Sequence, residues 1–241
     1  ADAMPHYVTQ SGYVEIEDLL TWVDRSSAKP NALWLLDLQN RSRYSLSLDA
    51  LRGRDIDPLA KLKKQQGLEP YGPDNLRPVS VLGMVWHPAQ SEALVQVFSN
   101  DYKDRWTVRV NTEKQTVREI HRLTDDAWVN WDFNEFGWVP KTTTPWLLSE
   151  QSGYAHLYTI DAKGRAKQRT RGDFELRGVV FSPTGDTAYA RSNRAHPTEW
   201  DLHSIDLASG TLRQVTALKG VEDFKLHPSA DKALVMYSSA Y

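Results

Sequence analysis

The sequence contains no cysteine, so disulfide bonds are excluded and the redox compartment cannot be read from it. It also has no apolar run that approaches the roughly 20 residues of a membrane-spanning helix. Neither sign of charge dominates, because 29 Lys and Arg residues oppose 31 Asp and Glu residues and leave a formal net charge of −2. This balance gives no indication of a nucleic-acid or membrane-surface partner, and we expect neither.

Several signatures of catalysis and cofactor binding are absent as well. The chain has no G-x-S-x-G nucleophile elbow, no H-E-x-x-H zinc motif, no P-loop and no dinucleotide-binding fingerprint. Its seven His residues are dispersed, and no two of them have a metal-ligand spacing. His156 lies between two Tyr residues of a predicted strand, where a hydrogen-bonded structural histidine is expected. We therefore expect no metal, no cofactor and no catalytic residue in this chain.

The sequence does contain a repeated motif, which consists of an apolar strand, an Asp or Asn, a short polar turn and a second strand. The copies lie at 33–44, 106–118, 157–170 and 202–216. Asp161 and Asp206 are about 45 positions apart, and Asn111 and Asp161 about 50, which is the period of a four-stranded propeller blade. The spacing predicts blades.

A second motif alternates with the first along the chain, and it consists of a strand followed by a turn that begins with Pro. It occurs at 85–88, 180–186 and 225–231. Proline suits the second position of such a turn because its φ is already set. Together the two motifs predict an all-β fold of about four to five four-stranded antiparallel β-propeller blades, which form part of a seven- or eight-bladed ring.

The predicted organisation is a single partial propeller over 1–241. It consists of blade remnants at 1–48, a helical insertion at 49–78, blades at about 79–131, 132–175 and 176–222, and the start of another blade at 223–241. Within the insertion a short helix is predicted near 57–66, with Asp57 as N-cap, Pro58 at the first helical position and Gly67 at the C-terminal end. Segment 99–105 is predicted to be a long polar turn. The chain opens without Met and ends within a predicted blade, so we expect a fragment of a longer protein.

Segment 125–138 holds the residues that first suggest a binding site. Asp125 and Asp126 can bind a substrate amine or act as acid and base, or they can cap a turn before a strand, which is the more common role. Aromatic residues then follow in quick succession, at Trp128, Trp131, Phe133 and Trp138. Most of these rings are expected in the core, but one at a strand end can line a binding cleft.

Segment 149–158 resembles a known sequence motif. Its residues Ser-Glu-Gln-Ser-Gly-Tyr-Ala-His-Leu-Tyr are similar to the S-E-x-D-G-[WY]-x-H-[LI]-Y phrase in the propeller of dipeptidyl-peptidase-IV-like members of the prolyl oligopeptidase family of serine peptidases. Segment 126–130 resembles the family's entry into this blade, and 170–176 resembles its T-x-G-x-W-E-V, with Phe174 in place of Trp. The resemblance covers roughly 125–216.

The resemblance implies a propeller that gates and positions short peptide substrates, followed by a hydrolase domain in cis that carries the catalytic Ser, Asp and His. The chain alone would then be inactive. In the family, the stretch after the Trp128-Val129 position faces the central cavity, which points to Trp131, Asp132 and Phe133 as substrate-proximal residues. The family's amine-binding Glu pair would lie upstream, because Glu15 and Glu17 do not match its motif.

Other interpretations of the blades stay open. A non-catalytic WD-like or TolB-like scaffold that binds a protein partner would also use them, since a fold does not fix a function. A propeller glycosidase would need converging carboxylates from several blades, and the sequence does not show that pattern. Open sheet edges in a partial ring predict either self-association through the exposed blade or a disordered, loosely packed terminal blade. The resemblance suggests a periplasmic or secreted parent, while no signal peptide is predicted in the chain.

Overall fold

A computed structural model of the chain describes residues 3–6, 15–18, 32–130 and 132–238, with the backbone alone at 3–6 and 15–18. Most of the predicted blade remnant 1–48 therefore lies outside the described residues. The strands are β1 Ala3–His6, β2 Glu15–Asp18, β3 Leu33–Asp37, β4 Ser42–Leu46, β5 Val79–Trp86, β6 Glu92–Ser99, β7 Asp104–Asn111, β8 Thr116–Thr124, β9 Phe136–Trp138, β10 Pro145–Ser149, β11 His156–Ile160, β12 Ala166–Gln168, β13 Leu176–Phe181, β14 Thr187–Ser192, β15 Asp201–Asp206, β16 Leu212–Gln214, β17 Val221–Leu226 and β18 Ala233–Ser238. One helix is described, α1 Ala60–Gln65.

The strands form antiparallel sheets in which each strand pairs with its neighbour in the sequence. Three sheets have four strands, β5–β8, β9–β12 and β13–β16, and three have two strands, β1–β2, β3–β4 and β17–β18. This is the predicted all-β architecture of propeller blades. How the connecting segments divide among blades stays a prediction.

The repeated Asp and Asn residues close the outer hairpins of these sheets. Asp37 accepts hydrogen bonds from the backbone N–H groups of Gln39 and Asn40, both at 2.9 Å. The other members of the repeat also accept backbone N–H bonds, at Asn111, Asp161 and Asp206. Short polar side chains favour such turns because they satisfy backbone donors locally.

Sheets β3–β4, β5–β8, β9–β12 and β13–β16 pack in chain order, with an apolar core between each neighbouring pair. One core joins β3–β4 to β5–β8 around Trp106. A second joins β5–β8 to β9–β12 through Leu94 and Leu147. A third joins β9–β12 to β13–β16 through Leu157 and Ile205. Strands β10 and β11 are consequently buried on both faces, and each large apolar side chain there contributes about 1.5–3 kcal/mol by leaving water.

The start of the helix differs from the sequence prediction, because α1 begins at Ala60 and Pro58 is therefore not at the first helical position. The N-cap of α1 is Leu59, without a side-chain cap, so the N-cap role predicted for Asp57 is wrong. Asp57 instead accepts bonds from the backbone of Leu59 at 2.9 Å, the ammonium of Lys63 at 2.7 Å and the backbone of Tyr71 at 2.9 Å. Burial would raise the pKa of Asp57, but these bonds outweigh it and the pKa is lowered. The Asp57 carboxylate therefore links the start of the helix, Lys63 and the loop at Tyr71.

The C-terminal end of α1 agrees with the prediction. Gly67 follows the C-cap with a φ of +71°, and the Leu68 N–H bonds to the carbonyl of Lys63 at 2.9 Å. This is a Schellman arrangement, which uses the left-handed conformation that glycine adopts without strain. No helix in the described residues is long and apolar enough to cross a membrane.

A buried ion network attaches the insertion to sheet β5–β8. Arg77, only 1% exposed, contacts Asp104 at 2.6 Å and Asp101 at 2.7 Å, and Arg122 contacts the second oxygen of Asp104 at 2.7 Å. The prediction of a polar turn through residue 105 is therefore wrong at its end, because β7 begins at Asp104. The Asp104 and Arg105 side chains are buried with their partners.

Candidate functional site

Segment 125–135 connects β8 to β9 and shapes the candidate site. The Asp125 carboxylate accepts bonds from the backbone N–H groups of Ala127 at 2.7 Å and Trp128 at 3.0 Å, which confirms its turn-capping interpretation. Val129 is buried with Phe98, and its N–H donates to the carbonyl of Tyr102 at 2.7 Å. With Val129 held inward, the adjacent Trp128 is 59% exposed.

A cleft of about 450 Å³ lies beside this segment. Its lining residues are Leu123, Thr124, Asp125, Ala127, Trp128, Val129, Asn130, Glu150, Gln151 and Gly153. Glu150 is half-buried, and one of its oxygens lies 3.4 Å from the Asn130 amide nitrogen. Gln151 is fixed by His121, whose Nε2 lies 2.8 Å from the Gln151 amide oxygen. An exposed indole and a carboxylate in one cleft are the groups that bind a cationic ligand.

Of the three predicted substrate-proximal residues, Asp132 and Phe133 are not among the residues that line this cleft. Trp131 is outside the described residues. Asp132 is exposed and forms an ion pair with Arg177 at 3.1 Å. Phe133 is buried in the core between β9–β12 and β13–β16, and the same guanidinium lies 4.6 Å from its ring centre. Arg177 therefore contacts both Asp132 and Phe133, and the proximity of Trp131, Asp132 and Phe133 to substrate stays a prediction.

The position of Arg177 depends on a bulge in β13. The pairing of β13 with β14 shifts register between Arg177 and Val180, and Gly178 has a φ of +68°. The two oxygens of Glu135 accept bonds from the N–H groups of Gly178 and Val179, both at 2.7 Å. A bulge re-aims the neighbouring side chain, so Glu135 and Gly178 together direct Arg177 toward segment 125–135.

Arg105 supports the same segment from the interior. Its guanidinium, which is buried, donates to the carbonyls of Phe133 at 3.1 Å and Leu148 at 3.0 Å, and to the Asn134 side chain at 2.5 Å. Burial lowers the pKa of Arg105 to about 10, although the negative charge of Glu150 opposes this shift. The group stays protonated at neutral pH and holds the backbone that precedes β9.

Three carboxylates, those of Glu150, Asp132 and Glu175, influence one another in this region. Burial raises the pKa of Glu175, and the negative charges of Glu150 and Asp132 raise it further against the opposing effect of Arg177. Such mutual influence requires the three carboxylates to lie near one another. The arrangement suits the binding and orientation of a cationic group.

Sequence reasoning missed Arg105, Glu135, Glu175 and Arg177. Arg105 carries no distinct local signal, because β7 mixes charged, polar and apolar residues, and the partners of Arg177 lie far away in the sequence. His156 agrees with its prediction, because its ring nitrogens bond to Thr170 Oγ1 at 3.1 Å and the Gly172 carbonyl at 3.0 Å. Within the described residues, no group of three or more acidic or His side chains is arranged to hold a metal ion.

Comparisons with known proteins agree with this architecture. Residues 64–241 match the family model described as the dipeptidyl peptidase IV (DPP IV) N-terminal region. The crystal structure of Porphyromonas gingivalis dipeptidyl peptidase 4 superposes with a TM-score of 0.66 at 18% sequence identity, over 87% of this chain and 26% of that one. At this identity the superposition shows the fold alone, and the chain spans about a quarter of the length of that peptidase. The chain therefore belongs to the family of the dipeptidyl peptidase IV N-terminal region, and its stacked sheets are blades of the N-terminal β-propeller of a DPP IV-like peptidase.

Proposed function

We propose that this chain is the substrate-gating and positioning part of a dipeptidyl-peptidase-like serine exopeptidase or oligopeptidase that cleaves short peptides. Family membership supports the peptidase assignment. The single observation that supports a positioning role is the cleft that exposed Trp128 and half-buried Glu150 both line. The chain itself has no G-x-S-x-G elbow, so the nucleophile is assigned to a hydrolase domain in cis.

The cleft is proposed to bind the positively charged amino terminus of a peptide before it reaches the Glu pair that the family resemblance places upstream. An ammonium group over an exposed indole gains about 0.5–1 kcal/mol, and a carboxylate nearby adds a comparable amount. Trp131, Asp132 and Phe133 are proposed to lie near the bound peptide, with Arg177 fixing the position of Asp132. Several weak contacts of this kind orient a small ligand without holding it too tightly for release.

Peptide binding to the chain can be followed by NMR through the indole N–H signal of Trp128, assigned with a W128F variant. A tripeptide with a free amino terminus should shift this signal, and its acetylated counterpart should bind about fivefold more weakly, the equivalent of roughly 1 kcal/mol. E150Q should weaken binding by a similar factor. E113Q removes one charge from the exposed turn at the opposite end of the β7–β8 hairpin and should have no effect. Equal binding of both peptides would contradict the proposal.

The hydrolase domain in cis is tested separately by sequencing the coding region on both sides of these residues. A downstream G-x-S-x-G followed by Asp and His is expected, with a paired Glu upstream. If the reading frame instead stops soon after residue 241, the peptidase assignment fails and a binding propeller takes its place.

A second candidate function, protein binding, is favoured by the exposed apolar side chains of β18. Leu234 is 80% exposed and Met236 is 70% exposed, so this sheet face presents apolar surface to solvent. We propose that the face associates with a second copy of the chain, because exposed apolar patches tend to be covered by partners. Sedimentation velocity should show concentration-dependent dimers that the double variant L234E/M236E abolishes. A monomer at all concentrations would refute this proposal.

A further inference from the structure

The outer strand β12 and the residues around it carry four cationic side chains at alternate positions: Arg165, Lys167, Arg169 and Arg171. All four line a groove of about 530 Å³ on the side of sheet β9–β12. Asp161 pairs with Arg165 at 2.7 Å, and the other three have no ion pair within the described part of the chain. In a protein of formal net charge −2, this groove is a local concentration of positive charge.

Arg169 is the residue that distinguishes the groove from an ordinary solvated surface. It is half-buried, and its Nε donates to Thr159 Oγ1 at 2.7 Å while Nη1 donates to the Leu207 carbonyl at 2.9 Å. Both acceptors are neutral, and burial lowers the pKa of Arg169. A partly desolvated cation without a carboxylate is stabilised when an anion approaches it.

The backbone of β12 is also open. This strand is the edge of its sheet. The Arg169 N–H bonds to the Leu157 carbonyl at 2.7 Å, and the Arg165 carbonyl accepts the Asp161 N–H at 3.0 Å, so residues 165 and 169 direct their backbone groups toward β11. Alternate residues of a strand face opposite ways, and Ala166 and Gln168 therefore direct theirs outward. An edge of this kind can accept another strand.

The spacing of the charges selects the kind of strand. Residues two apart on a strand are separated by about 6.7 Å on one face. An extended peptide with Asp or Glu at every second position repeats its carboxylates at the same interval, so each can lie opposite one cation across the strand pair. A single-stranded nucleic acid offers similar charge, but its binding sites use aromatic rings for base stacking, and the described groove lining is aliphatic, hydroxyl, amide or charged.

We propose that this groove binds an extended acidic segment of a partner protein. The segment would add to sheet β9–β12 as a fifth strand through the backbone of Ala166 and Gln168. Its alternate carboxylates would pair with Lys167, Arg169 and Arg171. This site is separate from the cleft beside Trp128, and it does not depend on the peptidase assignment.

Fluorescence anisotropy with the 241-residue chain tests the proposal. The probe is a labelled 12-residue peptide in which Glu and Thr alternate, compared with a peptide of the same composition whose Glu residues are contiguous. The alternating peptide should bind about tenfold more tightly, the equivalent of roughly 1.4 kcal/mol. A version with one Thr replaced by Pro should bind more weakly, because Pro removes a backbone donor from the new strand pair.

Charge-reversed variants locate the binding. K167E/R171E changes two exposed side chains of the groove and should weaken binding of the alternating peptide by about tenfold or more. The matched control K61E/K64E makes the same charge change on the exposed surface of α1 and should weaken it by less than about twofold. Thermal unfolding of both variants establishes that the fold is retained.

Four results would overturn the proposal. Equal weakening by the control would mean non-specific attraction, and equal binding of the two Glu peptides would mean that no strand is added. Tighter binding of a single-stranded oligonucleotide with the same number of charges would point to a nucleic acid instead. No binding of the alternating peptide at millimolar concentration would leave the four cations as solvated surface charges.

Discussion

Strands β11 and β18 have similar apolar composition but opposite surroundings. Leu157 in β11 is 0% exposed, whereas Leu234 in β18 is 80% exposed. Sheet β9–β12 packs against another sheet on each face. Sheet β17–β18 contacts β13–β16 mainly through β17, where Phe224 and Glu222 are buried. The pattern of residues specifies a strand in both places, but burial depends on which sheets lie beside it.

The largest expected effect comes from truncating the two leucines. Leu157→Ala removes atoms from a fully packed core and should lower the free energy of unfolding by about 2–5 kcal/mol. In chain diluted below the concentration at which dimers form, Leu234→Ala changes an exposed side chain and should change it by less than about 0.5 kcal/mol. Urea denaturation followed by circular dichroism measures both. Similar losses in the two variants at that dilution would mean that β18 is covered within the monomer.

Buried polar contacts extend the comparison between buried and exposed strands. Arg105→Met keeps most of the side-chain volume but leaves the carbonyls of Phe133 and Leu148 without their donor. The free energy of unfolding should fall by about 2–3 kcal/mol, because hydrogen bonds to a charged group are strong and unpaired buried acceptors are costly. Arg213→Met, at an exposed position of β16, is the control and should have little effect. A loss below 1 kcal/mol in the Arg105 variant would show that water replaces the guanidinium.

The sequence predicts the sheets better than it predicts the site, for a physical reason. Strands and turns follow from local patterns, and the repeated Asp161 and Asp206 bond within their own turns. The side chains that shape the site bond over long distances instead, as when Arg105 reaches Leu148 and Glu135 reaches Gly178. No local pattern contains such a pair.

Two of the errors in the predicted secondary structure have the same origin. Charged residues at segment 99–105 indicated a turn, but Asp104 is buried because Arg77 and Arg122 both reach it. Asp57 had the sequence position of an N-cap, but its oxygens bond to Lys63 and the Tyr71 backbone. In each case a distant or structural partner changes the role that the local sequence favours.

A smaller effect is expected at the bulge that aims Arg177. Gly178→Ala places a side chain at a φ of +68°, where its Cβ would lie 3.4 Å from Arg191 Nε, and should lower the free energy of unfolding by about 1–2 kcal/mol. It should also weaken peptide binding, because Arg177 would lose its orientation. Gly72→Ala is the control, since nothing lies within 4 Å of its Cβ position and its φ is not left-handed. Equal stability of the two variants would mean that the bulge adapts without strain.

The smallest expected effect is a change in the pH dependence of stability. Burial lowers the pKa of His156, although its bond to the Gly172 carbonyl opposes the shift, and the pKa values of buried His121 and His203 are lowered too. Histidine in the unfolded chain has a pKa of about 6.5, so the unfolded chain binds protons more readily than the native chain does. Stability should be constant above that pH and decline below it, toward the native-state pKa values. His156→Gln removes one of these histidines. The free energy of unfolding of this variant, measured by urea denaturation, should therefore fall less steeply with decreasing pH than that of the natural sequence. An unchanged decline, or a native His156 pKa above about 6.5 by NMR titration, would contradict the burial argument.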